Sequence, residues 1–191
     1  MGIFFLSFSG KTVYITAGTK AFRIKSNGID LTCVPELALH SNQEEADTKA
    51  FLCASFASDL GFEKVRIVTV DSDMGILALY HQQQIQAKLL LEIGTGSNLK
   101  ILDISSHTFS KSLIDALPGL HAFSGCDTTS SFNGIGKVKC LSTLQSESKY
   151  IKAMANIGEA ANLDPETILI LEEYVCRLYS IKNCNQINKA R

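Results

Sequence analysis

Residues 64–70, Lys-Val-Arg-Ile-Val-Thr-Val, stopped at once by Asp71-Ser72-Asp73, constrain the fold of this chain more than any other stretch. Four of the seven, Val65, Ile67, Val68 and Val70, are β-branched and apolar. A short run of that kind fills a central strand of a parallel sheet covered on both faces. The flanking patterns fit such a sheet. Residues 11–17 and 20–25 alternate around Ala17-Gly18-Thr19 and predict a hairpin. An irregular stretch containing Pro35 follows. Ser41 and Glu44 then have capping-box spacing, which predicts a helix to about Leu60, with Ala46, Ala50, Cys53, Ala54, Ala57 and Leu60 as its buried stripe and Gly61 as its stop.

After Asp73 a short helix is expected over 74–81, then strands over 88–93 and 99–104 around Gly94-Thr95-Gly96-Ser97-Asn98. That turn lacks the third glycine of a dinucleotide fingerprint and the Gly-Lys-Ser/Thr of a P-loop, so it predicts a strand connection, not a nucleotide site. From about Ser106 the chain reads as helical, with Pro118 in a first turn and Gly125 as a stop. Asp164-Pro165-Glu166 opens a last helix whose apolar face is Ile168, Leu171, Val175 and Leu178. The fold class expected is therefore α/β, with a mainly parallel central sheet and a helical C-terminal third.

Composition narrows the function. With 46% apolar and 19% charged residues the chain is globular, and a net charge of −1 excludes a basic coat, so any nucleic-acid contact must come from a local patch. The six cysteines form no Cys-x-x-Cys pair and none stands at zinc-ligand spacing from a histidine, which predicts reduced thiols. No stretch approaches the roughly 20 apolar residues of a membrane span. The apolar run within 1–9 has no basic flank, so a cytoplasmic or nuclear setting is the expectation.

Acidic side chains stand where a core does not need them: Glu44, Glu45 and Asp47 at a helix start, Asp71 and Asp73 at a strand end, and Asp127 in Ser124-Gly125-Cys126-Asp127. Each has a structural explanation as a cap or turn residue. If the strand runs through Asp73, residues 71 and 73 share a face at the carboxyl end of the sheet, where open α/β sheets hold ligands. Two such carboxylates repel unless a cation or a strong donor set sits between them. Oxygen-only ligands select a hard cation, Mg²⁺ or Mn²⁺.

Glu45-Ala46-Asp47, Asp71-Ser72-Asp73 and Gly125-Cys126-Asp127, with Gly134-Ile135-Gly136-Lys137 seven residues beyond Asp127, resemble the flap endonuclease family of PIN-like 5′ nucleases. The likeness covers roughly 41–146. It implies a three-layer PIN-like fold over 1–146 and a helical extension over 147–191. It also makes Glu45, Asp47, Asp71, Asp73 and Asp127 catalytic, metal-facing carboxylates for phosphodiester hydrolysis with two metals about 4 Å apart. By helix periodicity Glu44, not Glu45, shares a face with Asp47, whereas the family motif selects Glu45.

The resemblance further implies that Gly134 and Gly136 offer backbone amides to a phosphate. Lys137 and Lys139 would add charge there, and a monovalent cation would sit at the loop. The partner implied is branched or 5′-ended DNA. Lys20, Arg23 and Lys25 read as a solvated strand face, and His121 as a satisfied core histidine. The family also takes acids from a first core strand, yet before Glu44 this chain has only Asp30 and Glu36. The chain thus resembles the C-terminal two-thirds of such a core. Weak or absent turnover and a homodimer through an unfinished sheet edge are the expectations, with a silent binding module as the alternative.

Overall fold

The computed structural model describes residues 10–42, 46–71, 73–126, 129–159 and 161–181. Strands β1 (Thr12–Ala17), β2 (Lys20–Ser26) and β3 (Leu31–Pro35) form one antiparallel sheet. Its first two strands are the expected hairpin. The third occupies the stretch around Pro35 that the sequence left irregular, with Phe22 opposite Pro35 and Ile24 opposite Cys33. Proline is tolerated there because β3 is an edge strand.

Helix α1 (Ala46–Asp59) leads to β4 (Lys64–Thr69), α2 (Met74–Gln82), β5 (Lys88–Ile93) and β6 (Lys100–Asp103). The capping box falls on Glu44, outside the described residues. The stripe of α1 differs from expectation: Phe51 and Ala54 are buried, whereas Ala46 is exposed and Leu60 is 53% exposed. The large ring of Phe51 reaches the sheet core and stacks on His81 of α2, with centroids 4.5 Å apart. Gly61, at φ 89°, ends the helix as expected.

A single mainly parallel central sheet, the expected architecture, is not what forms. The second sheet also has three strands, in the order β4-β5-β6, and only β4 and β5 are parallel. β4 is therefore an edge strand, covered on one face. The reason lies in its own alternation. Val65, Ile67, Leu89 and Leu91 share the face packed against α1 and α2, while Lys64 and Arg66 alternate onto the other. Across that wet face Arg66 meets Glu92 at 3.2 Å and Lys88 meets Asp103 at 2.6 Å. The hydrogen bond from Lys88 holds the Asp103 carboxyl below the usual carboxylate range. The charged residues within the run, not its β-branched count, decide the layering, and this part of the molecule has two layers. The Gly-rich turn joins β5 to β6 through a 3-10 turn at Gly96–Asn98, a strand connection as its sequence indicated.

The C-terminal third is helical, with α3 (Lys111–Ser124), α4 (Lys137–Ser146), α5 (Ser148–Ala155) and α6 (Pro165–Leu178). Pro118 lies inside α3, not in its first turn. The helix starts about two turns earlier, where the Ser110 hydroxyl accepts the Leu113 N–H. In α6 the Asp164 carboxylate caps the Thr167 N–H at 2.9 Å as expected, and Leu171, Val175 and Leu178 are buried, but Ile168 is 45% exposed. Leu144, Tyr150, Met154, Tyr174 and Leu178 form the centre of this core. Helices α3 and α5 cross closely at Gly119, where a methyl group would collide with the Met154 carbonyl. The two cores meet at α2, which is apolar nearly all round. Met74 and Ala78 face the sheet, while Ile76 and Leu79 pack on the helical core.

Among the described residues no helix is long and apolar enough to cross a membrane. Among the described residues no disulfide forms: Cys33, Cys53, Cys126, Cys140 and Cys176 are all reduced.

Candidate functional site

The loop from β4 to α2 carries Asp71 and Asp73. The strand does not run through Asp73, as the shared-face argument required; it ends at Thr69, and the chain turns. Thr69 Oγ1 accepts the Asp71 N–H at 3.0 Å, and Asp71 Oδ1 accepts the Asp73 N–H at 2.8 Å. These are side-chain-to-backbone turns of the kind Asp and Thr make readily. They hold both carboxylates at the carboxyl end of β4, by a turn and not by strand periodicity.

Asp73 meets residues from far along the chain. Lys137 Nζ donates to Asp73 Oδ2 at 2.8 Å and to His121 Nδ1 at 3.1 Å, and His121 Nδ1 lies 3.8 Å from the same carboxylate oxygen. Lys137 is the first residue of α4, His121 lies in the last turn of α3, and Asp73 precedes α2, so three helix ends converge. The Asp73, Lys137 and His121 side chains are 32%, 39% and 16% exposed, which leaves the cluster open to solvent on one side. The repulsion expected between Asp71 and Asp73 is relieved from within the chain, by the Lys137 ammonium.

His121 is mostly buried and hydrogen-bonded, as its sequence surroundings suggest, but its partner is the Lys137 ammonium at the edge of the core. Its position six residues before Asp127, in the turn of helix that leads into Gly-Cys-Asp, was the signal that it shares an end of the molecule with the acids. That turn is built from local bonds. Gly125 sits at φ 107° and packs against the Ser131 backbone, so that no side chain fits. Thr129 Oγ1 accepts the Cys126 N–H at 3.1 Å and donates to the Ala122 carbonyl at 2.7 Å. Asp127 and Glu45 lie outside the described residues.

Asp47 is in the first turn of α1. Gly134, at φ 70°, and Gly136 are exposed, and no side chain caps α4, so its first amides are open to solvent. Lys139 is exposed one turn away. On the first sheet, strand alternation puts Lys20 on the face opposite Arg23 and Lys25, and Arg23 lies 3.8 Å from Glu36. No continuous basic stripe results.

Among the described residues no three His, Cys, Asp or Glu side chains are grouped so as to hold a metal ion. Asp71 and Asp73 offer the hard oxygen donors that Mg²⁺ or Mn²⁺ prefer, and the ammonium on Asp73 shows that this carboxylate takes a cation. The described residues supply two carboxylates, one of them paired with Lys137, which by themselves do not make a divalent-metal site. No family model matches the chain, and no curated protein or solved structure matches it.

Proposed function

We propose that this chain is a nuclease-like domain of the flap endonuclease type that binds the nucleic-acid backbone and a divalent metal at this three-helix junction, with little or no turnover. The observation that carries the reading is the ion pair between Asp73 and Lys137. It joins the Asp-Ser-Asp and Gly-Ile-Gly-Lys motifs, 64 residues apart, at one place. A structural salt bridge needs no such pairing of motifs.

In this reading Asp47, Asp71 and Asp73, with Glu45 and Asp127, are the carboxylates for Mg²⁺ or Mn²⁺. Lys137, Lys139 and the amides around Gly134 and Gly136 contact phosphate, and a monovalent cation at that loop belongs to the same reading. When bound, the divalent metal would polarise a water and stabilise the leaving oxygen. The chain's own residues hold the phosphate near that position, with no reading of base sequence. The free edge of β4 is where a second copy would pair. The low turnover follows from the small carboxylate set, since a two-metal site with too few ligands places the attacking water poorly. The same observation favours the second reading, a catalytically silent nucleic-acid-binding module on this scaffold. Both readings place the protein in the nucleus or cytoplasm.

Fluorescence anisotropy with a 5′-flap duplex in Mn²⁺ buffer tests the proposal. Binding should weaken as salt rises, and Lys137→Met should lower both the affinity and the salt slope. Efficient cleavage abolished by Asp73→Asn would promote the full enzyme reading. Absence of binding at low salt would remove both readings.

A further inference from the structure

Strand β4 is an edge of its sheet, and among the described residues no strand pairs with its outer side. The Glu63 carbonyl accepts the Lys88 N–H at 2.9 Å and the Thr69 carbonyl accepts the Gly94 N–H at 3.1 Å, so the odd-numbered residues turn their backbone groups toward β5. Backbone groups of successive strand residues point to opposite sides. Lys64, Arg66 and Val68 therefore aim their N–H and C=O groups outward. Neither a proline nor a bulge blunts this edge, and Val68 and Val70 are 63% and 77% exposed on it.

The residues of the strand select what can pair there. Two copies related by a two-fold axis normal to the sheet meet antiparallel, keep their helix-covered faces on one side, and make a contact that closes on itself. Even-numbered residues must then face even-numbered ones, which allows centres on Val65, Arg66, Ile67 or Val68. A centre on Val65 sets Lys64 against Arg66, and a centre on Arg66 sets that arginine against itself; like charges directly opposite work against pairing. A centre on Val68 runs past the end of the strand at Thr69 and opposes Val65 to the turn at Asp71. The centre on Ile67 avoids all three faults. It sets Ile67 on Ile67, Val65 on Thr69 and each Arg66 beside Val68. Val68 is opposite Glu92 within its own sheet, so the incoming Arg66 enters the cross-strand row of a carboxylate that already meets its own chain's Arg66 at 3.2 Å.

We propose that the protein is a two-fold dimer in which β4 pairs antiparallel with β4 of a second copy about Ile67, joining the β4-β5-β6 sheets of both copies into one. The inference gives a register to the edge pairing included in the proposed function and rests on that part of it alone; metal and nucleic acid have no role in it.

The test is sedimentation equilibrium of the full chain in metal-free reducing buffer, followed by mild oxidation of cysteine variants beside the wild type. The wild type should be a dimer. Val68→Lys sets a cation against Arg66 on each side of the axis and should weaken the dimer about tenfold. Ile67→Cys should form an intermolecular disulfide above the wild-type level, because non-hydrogen-bonded antiparallel partners have Cα atoms about 4.5 Å apart, within disulfide reach. Val65→Cys should not, since in this register it lies about 13 Å along the strand from its counterpart. Melting curves establish that each variant is folded. A dimer that Val68→Lys does not weaken has its interface elsewhere and overturns the inference. Weakening by Val68→Lys without cross-linking of Ile67→Cys overturns the register and leaves the edge pairing standing. A monomer at every concentration overturns both, and duplex binding by that monomer would still support the nucleic-acid reading.

Discussion

The helical third and the first sheet bury their side chains very differently. In α3 to α6, Leu144, Tyr150, Met154, Tyr174 and Leu178 are fully buried, and the Tyr174 hydroxyl donates to the Cys140 carbonyl at 2.8 Å. In β1 to β3 only Ala21 and Ser26 are buried, and every residue of β3 is exposed. The difference shows where the site takes its support. Both side chains that meet Asp73 come from the helical block, Lys137 at the start of α4 and His121 at the end of α3. The first sheet contributes none. Catalytic or binding groups are positioned best by elements whose own packing is unique, and here that means the helices.

The sharpest way to break this comparison is a cavity in each region. Leu144→Ala removes a fully buried side chain from the helical core and should cost about 2–5 kcal/mol in urea denaturation. If the cost is small, the helical block is not the anchor. Below that lies a pH effect confined to the same block. Burial, together with a 2.9 Å hydrogen bond to Glu173, pushes the Tyr150 hydroxyl from 10.0 up to about 12. Because the folded value is raised, the stabilisation is complete below pH 10 and is lost as pH climbs through about 12. The melting temperature should fall across that window, and Tyr150→Phe should remove this part of the fall. The smallest effect belongs to the first sheet. Ile15 is 47% exposed, and Ile15→Ala should change stability by only about 0.5 kcal/mol in the same urea measurement.

The contrast also explains what could be read from the sequence. Elements bounded by local chemistry were legible: the hairpin over β1 and β2, the cap at Asp164, the stop at Gly125 and the strand connection at Gly94 to Asn98. The layering was not. Val65, Ile67, Val68 and Val70 suggested a strand buried on both faces, but Lys64 and Arg66 needed a wet one, and Glu92, the partner of Arg66, lies elsewhere in sequence. Pro118 misled because proline favours a first turn, yet Ser110 had already begun the helix. At the site the sequence pointed to Asp71, Asp73 and Lys137 but gave them separate tasks, metal and phosphate. That Lys137 rests on Asp73, with His121 beside them, depends on how α2, α3 and α4 pack. No local pattern encodes that.

The Asp73–Lys137 pair closes between the two cores and belongs to neither. Each core is built from contacts of its own, whereas the junction depends on α2 lying in place against α3 and α4. Proteins open in sub-global units along such boundaries, at a lower free energy than complete unfolding. A fluctuation that lifts α2 off the helices would separate acid from base while both hydrophobic centres stay intact. The pairing of Asp73 with Lys137 therefore has its own, lower stability. Heat or denaturant removes it first, and a circular-dichroism signal dominated by intact helices would not register the loss.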